Sequence, residues 1–121
     1  MRTRPDKLTR ITLPTGSVLV DEYGYLTDPD QWTPEFAETA AASEGVPLGP
    51  EHWDILRFMR DFHDRHGVAA DQRFVLKQLS DTHQTDKATA KQRLYTLFPG
   101  GYVKQACKIA GMRQPRAWST G

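Results

Sequence analysis

Cysteine is almost missing from this chain of 121 residues: Cys107 is the only one. One thiol excludes an internal disulfide and a cysteine zinc site. No apolar run approaches the roughly 20 residues a helix needs to cross a bilayer. The basic opening MRTRPDKLTR is not followed by the apolar stretch of a signal peptide. The Gly-x-x-x-x-Gly-Lys pattern of a phosphate loop is missing as well. These absences, with a negative mean hydropathy, lead to the expectation of a water-soluble cytoplasmic protein with no membrane partner and no cofactor. The length fits one domain with a modest core.

Acidic residues are missing from one region only. Residues 87–121 hold no Asp or Glu and seven bases: Lys87, Lys91, Arg93, Lys104, Lys108, Arg113 and Arg116. Residues 11–86 hold fourteen acids and five Lys/Arg. The net charge of +1 therefore conceals two halves of opposite sign. Such a basic segment either attracts an anionic partner or folds back on the acidic body.

The patterning reads as a β-hairpin followed by helices. Ile11–Leu13 and Val18–Val20 are strand-like runs split by the turn signal Pro14-Thr15-Gly16, and Gly24 offers a further turn before Tyr25 and Leu26. Thr33 can cap a first helix, with Pro34 at its first position and Gly45 as its stop. A second helix is expected from about Pro50 to Gly67, with Ile55, Leu56, Met59 and Phe62 on its buried face. A third runs from about Asp71 to Leu79, with Val75, Leu76 and Leu79 inward. Thr85 can cap a fourth, which carries Leu94 and Leu97. Pro99-Gly100-Gly101 breaks the chain. A fifth spans about Tyr102 to Ala110, with Gly111 as its stop. The last ten residues have no helical period and read as an arm.

Two stretches resemble the DsrC/TusE sulfur-relay family. The longer is Leu97-Phe98-Pro99-Gly100-Gly101 followed by Lys104-Gln105-Ala106-Cys107-Lys108-Ile109-Ala110-Gly111. The weaker matches are Asp21-Glu22-Tyr23-Gly24-Tyr25-Leu26, the following Trp32, and Glu51-His52-Trp53. The resemblance implies a mainly α fold: a compact bundle of about five helices with an N-terminal β-hairpin and a C-terminal arm. On this reading residues 1–10 form a basic tail, 11–111 the helical domain and 112–121 the arm. It also implies a protein that acts with partners, namely other sulfur-relay or sulfur-oxidation and sulfur-reduction proteins such as sulfite reductase or the tRNA-thiolation relay. In that family a thiol near the arm's tip carries persulfide, and in the sulfite-reductase-linked members it pairs with an inner cysteine. Cys107 matches the inner cysteine. Trp118 falls in the place of the tip cysteine, and residues 108–121 contain no cysteine.

Cys107 is thus the candidate sulfur-carrying thiol. Sulfur transfer needs a thiolate, and Lys104 and Lys108 flank it closely enough to favour one. Its spacing from Val103 and Ala110 equally suits an apolar face, where a thiol is inert. Arg113, Arg116 and Trp118 are candidate docking residues, of types enriched at interface hot spots; a plain terminal tail is the other reading. His63 and His66, beside Asp61 and Asp64, lack a third ligand, so no metal is expected. His52-Trp53 suits packing at the start of the second helix better than a catalytic pair with Cys107. A second functional class remains: a DNA-binding regulator without carrier activity, whose third and fourth helices form a helix-turn-helix with Lys87, Lys91 and Arg93 on phosphates.

Overall fold

The computed structural model describes residues 8–113. Strands β1 (Thr9–Leu13) and β2 (Gly16–Val20) pair antiparallel, with Ile11 opposite Val18 and Leu13 opposite Gly16. Alternation puts Leu13, Val18 and Val20 on the buried face, with Ile11 packed at its edge. β1 begins two residues ahead of the strand read from Ile11. After β2 the chain reverses at Asp21, whose carboxylate accepts the backbone N–H groups of Tyr23 (2.8 Å) and Tyr25 (3.0 Å). A single bridge between Val20 and Leu26 closes this turn.

A 3-10 turn at Pro29–Gln31 leads to helix α1 (Pro34–Glu44). The Thr33 hydroxyl caps α1 by accepting from the Phe36 N–H (3.2 Å), and Gly45 ends it in a left-handed conformation. Helix α2 (Pro50–His66) likewise ends at a left-handed Gly67. Its Ile55, Leu56 and Met59 are buried as their spacing requires, and Phe62 lies half-buried at the margin. Helix α3 (Gln72–His83) runs four residues beyond the expected stop at Leu79. Side-chain pairs one turn apart, Lys77 with Asp81 and Gln78 with Thr82, line its outer face.

Helix α4 (Lys87–Leu97) starts one residue later than expected. Asp86, not Thr85, is its cap: the Asp86 carboxylate accepts from the Thr89 N–H at 2.8 Å. Thr85 instead belongs to the preceding turn. Its N–H donates to Ser80 O, its carbonyl accepts from the Ser80 hydroxyl, and its own hydroxyl is buried without a partner. The last helix, α5 (Tyr102–Cys107), is π-helical and passes through Lys108 and Ile109 to the stop at Gly111. Four of its six residues, Tyr102, Gln105, Ala106 and Cys107, are buried. An ordinary amphipathic helix buries a narrower stripe. α5 therefore runs through the centre of the core, among Leu26, Phe36, Leu56, Leu94 and Phe98. None of the described helices is long and apolar enough to cross a membrane.

The two candidate caps of α4 make opposite predictions. Asp86→Ala lowers the urea midpoint of unfolding, because an N-terminal donor loses its partner. The Asp86 cap holds its carboxyl below the usual range, so its contribution is present near neutral pH and lost as the pH falls through the carboxylate range. Thr85→Val leaves the midpoint unchanged or raises stability by up to about 1 kcal/mol, because it removes an unpartnered hydroxyl.

Candidate functional site

Cys107, the last residue of the π-helical stretch of α5, lies in the core and is 1% exposed. Burial pushes its thiol up to about 12, against a partial lowering by a hydrogen bond with Tyr102. Tyr102 is also buried, donates its hydroxyl to Ala70 O, and has its own pKa raised by burial. Neither lysine read beside Cys107 offsets this. Lys104 is exposed to solvent. Lys108 turns away and donates to the Glu44 carboxylate at 2.8 Å, with its ammonium 5.3 Å from the Tyr25 ring centre. The thiol is therefore neutral in the folded protein at physiological pH, and a neutral thiol is a poor nucleophile.

Lys108 takes part in a polar network that the sequence reading missed. Gln105, buried in α5, accepts from the Gly100 N–H (2.8 Å) and approaches Glu44 with its amide nitrogen (3.4 Å). Tyr25 donates its hydroxyl to Val103 O at 3.0 Å. A side chain at Gly100 would meet Gln105 at 2.6 Å, so the Pro-Gly-Gly break serves close packing as well as turning.

His52 is held at both nitrogens. Nδ1 accepts from the Gly49 N–H (3.0 Å), so Nε2 carries the hydrogen and donates to Leu97 O (2.8 Å). Its ring meets Phe98 edge-on at 5.2 Å. This joins the start of α2 to the end of α4 and leaves neither nitrogen for a pair with Cys107. Among the described residues no cluster of three or more His, Cys, Asp or Glu could hold a metal.

The second centre of interest is the end of the last helix, where the chain enters its C-terminal region. Trp32 donates its indole N–H to Ile109 O at 2.9 Å. Arg60, on α2, donates from its two terminal nitrogens to Ala110 O (3.0 Å) and Pro29 O (2.8 Å), and its guanidinium lies 4.9 Å from the Trp32 ring centre. Burial lowers the Arg60 pKa, opposed by the charges of Asp64 and Asp30. Gly111 is left-handed (φ 78°), and a Cβ there would lie 2.4 Å from Trp32 Cδ1. Met112 is buried, and Arg113 donates from Nε to Thr27 O at 3.2 Å. Of the expected docking residues, Arg113 stands at this root, whereas Arg116 and Trp118 lie outside the described residues. Arg60 was missed altogether. Its only signal is an arginine one turn after Leu56, at the edge of an otherwise apolar stripe.

The bases read as phosphate contacts divide. Lys87 and Lys91 are exposed on α4, but Arg93 pairs with Glu51 of α2 and braces the bundle. One of the three expected cations is thus engaged within the protein.

A family model described as DsrC like protein matches residues 13–117. The chain belongs to the DsrC-like family. The sulfurtransferase TusE of Escherichia coli K12 is 39% identical over 95 residues, 78% of this chain and 86% of the relative. The TusE of Salmonella typhimurium LT2 is 37% identical over 98 residues, 81% and 89% of the two chains. Among solved structures, the NMR structure of Allochromatium vinosum DsrC aligns with a TM-score of 0.79 at 32% identity, covering 92% of this chain and 98% of that one. The oxidised gamma-subunit of the dissimilatory sulfite reductase (DsrC) from Archaeoglobus fulgidus aligns with a TM-score of 0.78 at 31% identity, covering 90% and 98%. The helical bundle with its N-terminal hairpin is the DsrC fold, as the resemblance implied.

Two measurements bear on this geometry. In alkali the folded state keeps the Cys107 proton while the unfolded state loses it near 9.0. The folded pKa is raised, so stability is full below the unfolded value and falls as the pH rises from about 9 towards 12. Cys107→Ala removes part of that slope, measurable by urea unfolding across the range. At the helix end, Gly111→Ala destabilises more than Gly45→Ala. Both strain a left-handed backbone, at roughly 1 kcal/mol each, but only Gly111 also faces Trp32, whereas nothing lies within 4 Å of a Cβ at Gly45.

Proposed function

We propose that this DsrC-like chain is a sulfur-relay protein that docks its C-terminal region onto partner proteins of sulfur metabolism. In its folded state it regulates or occupies a partner and does not carry persulfide on Cys107. The observation that carries this reading is the burial of its single thiol. To accept sulfur, a thiolate must attack the outer sulfur of a donor persulfide, bonding to it and releasing the donor as its own thiolate. A thiol 1% exposed and pushed up to about 12 satisfies neither the access nor the charge that step needs. The relatives named sulfurtransferase TusE and sulfite reductase gamma-subunit support the relay assignment. The partners we assign are other relay proteins or sulfur-oxidising and sulfur-reducing enzymes, with Arg113, Arg116 and Trp118 as docking residues. The place of action we assign is the cytoplasm, whose reducing conditions suit an unpaired thiol. No observation favours the DNA-binding reading.

The test follows sulfur loading of Escherichia coli TusE by its own donor protein, by intact mass, with rising amounts of this chain. The expected result is that TusE loads more slowly while this chain gains no sulfur, and that Arg116→Ala with Trp118→Ala relieves the effect. A gain of one reductant-labile sulfur on the folded chain, absent from Cys107→Ser, would make it a carrier instead. No slowing at any concentration would remove the docking reading.

A further inference from the structure

The sharp end of α5 is held in an unusual way. The last carbonyls of a helix are ordinarily left to water or to the backbone of the following turn. Here the turn does its part: the Gly111 N–H donates to Lys108 O (3.1 Å) and the Met112 N–H to Cys107 O (3.0 Å). Two long side chains from remote parts of the chain are then added. Trp32 takes Ile109 O, and Arg60 takes Ala110 O. The same guanidinium reaches Pro29 O, and Arg113 reaches Thr27 O. Residues 109–113 are thereby tied to residues 27–32 at successive points along both segments. Every group accepting from Trp32, Arg60 and Arg113 in these ties is a neutral backbone carbonyl. A hydrogen bond from a cation to such an acceptor is directional and fixes geometry as well as adding stability.

We infer that Trp32 and Arg60 are positioning residues that set the direction in which the C-terminal region leaves the body, and so pre-arrange it for docking. The inference rests on the docking function proposed above. Its physical content is leverage. A change in chain direction at Met112 and Arg113 is passed on to whatever follows them. Fixing the root removes orientational freedom that would otherwise be lost on binding. The left-handed Gly111 lets the chain pass directly beneath Trp32, where there is no room for a side chain. Arg60 suits the task where lysine would not. Its planar fork serves two carbonyls at once and lies against the indole face, whereas an ammonium is a point charge.

The test uses the full chain, labelled with nitrogen-15 and weakly aligned, and reads residual dipolar couplings of the Met112 and Arg113 amides against those of Leu56 and Leu94. In Trp32→Phe, which keeps a ring but loses the N–H, and in Arg60→Lys, which keeps the charge but loses the fork, the couplings at Met112 and Arg113 fall by about a sixth or more, as a change from rigid to mobile backbone requires. Those of the core stay. Asp86→Ala serves as a control that weakens the fold at the start of α4, which makes none of these ties, and leaves the Met112 and Arg113 couplings in place. In the TusE-loading assay both root variants need about fivefold more protein for the same slowing, while Asp86→Ala does not. Unchanged couplings in Arg60→Lys and Trp32→Phe, or an equal fall in Asp86→Ala, would overturn the inference. The couplings decide it whether or not docking occurs, and the wild-type competition alone decides docking. If Trp32→Phe does not fold, Arg60→Lys carries the test.

Discussion

A helix that ends inside a protein must find partners for its last carbonyls, and in this fold that requirement organises one whole side of the molecule. α5 passes through the core and ends against residues that come from well before it. Trp32 follows the 3-10 turn, Arg60 projects from α2, and the carbonyls of Thr27 and Pro29 complete the set. Unpaired, each buried carbonyl would cost about 1–3 kcal/mol. The Asp28–Gln31 turn, the start of α1 and the middle of α2 therefore have little freedom to shift independently. The hairpin is drawn in as well, through Tyr25 and its hydrogen bond to Val103 O.

The same centrality decides the state of the thiol. A helix that lies on a surface can offer a cysteine to solvent between two lysines. A helix that runs through the core cannot, whatever its neighbours in sequence. Lys104 reaches solvent and Lys108 is committed to Glu44, so desolvation acts on Cys107 with no cation to oppose it. Adjacency along the chain supplied the argument for activation, and the burial of Tyr102, Gln105, Ala106 and Cys107 together reverses it. The thiol is thus left buried, with its pKa raised.

Much of the architecture was legible before the fold was known, for local reasons. Proline at the first position, a threonine cap and a left-handed glycine stop set α1 within a residue, and the apolar spacing of α2 named its buried face. Where local signals competed, the reading slipped. Thr85 and Asp86 are both good caps by type, but Thr85 is held in the preceding turn by Ser80, five residues back, and Asp86 takes the cap. Leu79 looked like an end because apolar spacing stops there, yet the helix continues on polar pairs to Gln84, a rare non-glycine in the left-handed region. The candidate site was legible in part. Cys107 and Trp32 stood out as residue types within a familiar string. Arg60 and Glu44 did not, and Tyr25 stood in a matched string without its role, because these roles rest on contacts between distant parts of the chain, as from Arg60 to Ala110, 50 residues away.

The placement of α5 also bears on how the protein is made. Translation delivers the N-terminal elements first, but the hairpin and the first four helices surround a space that Tyr102, Ala106, Ile109 and Met112 must fill. Until those residues leave the ribosome, Phe36, Leu56 and Leu94 have no complete core to join. The acid that will receive a late base, Glu44 for Lys108, is already in place and unpaired with it. The nascent chain is therefore an incompletely closed shell, and it closes only when α5 is threaded into the middle.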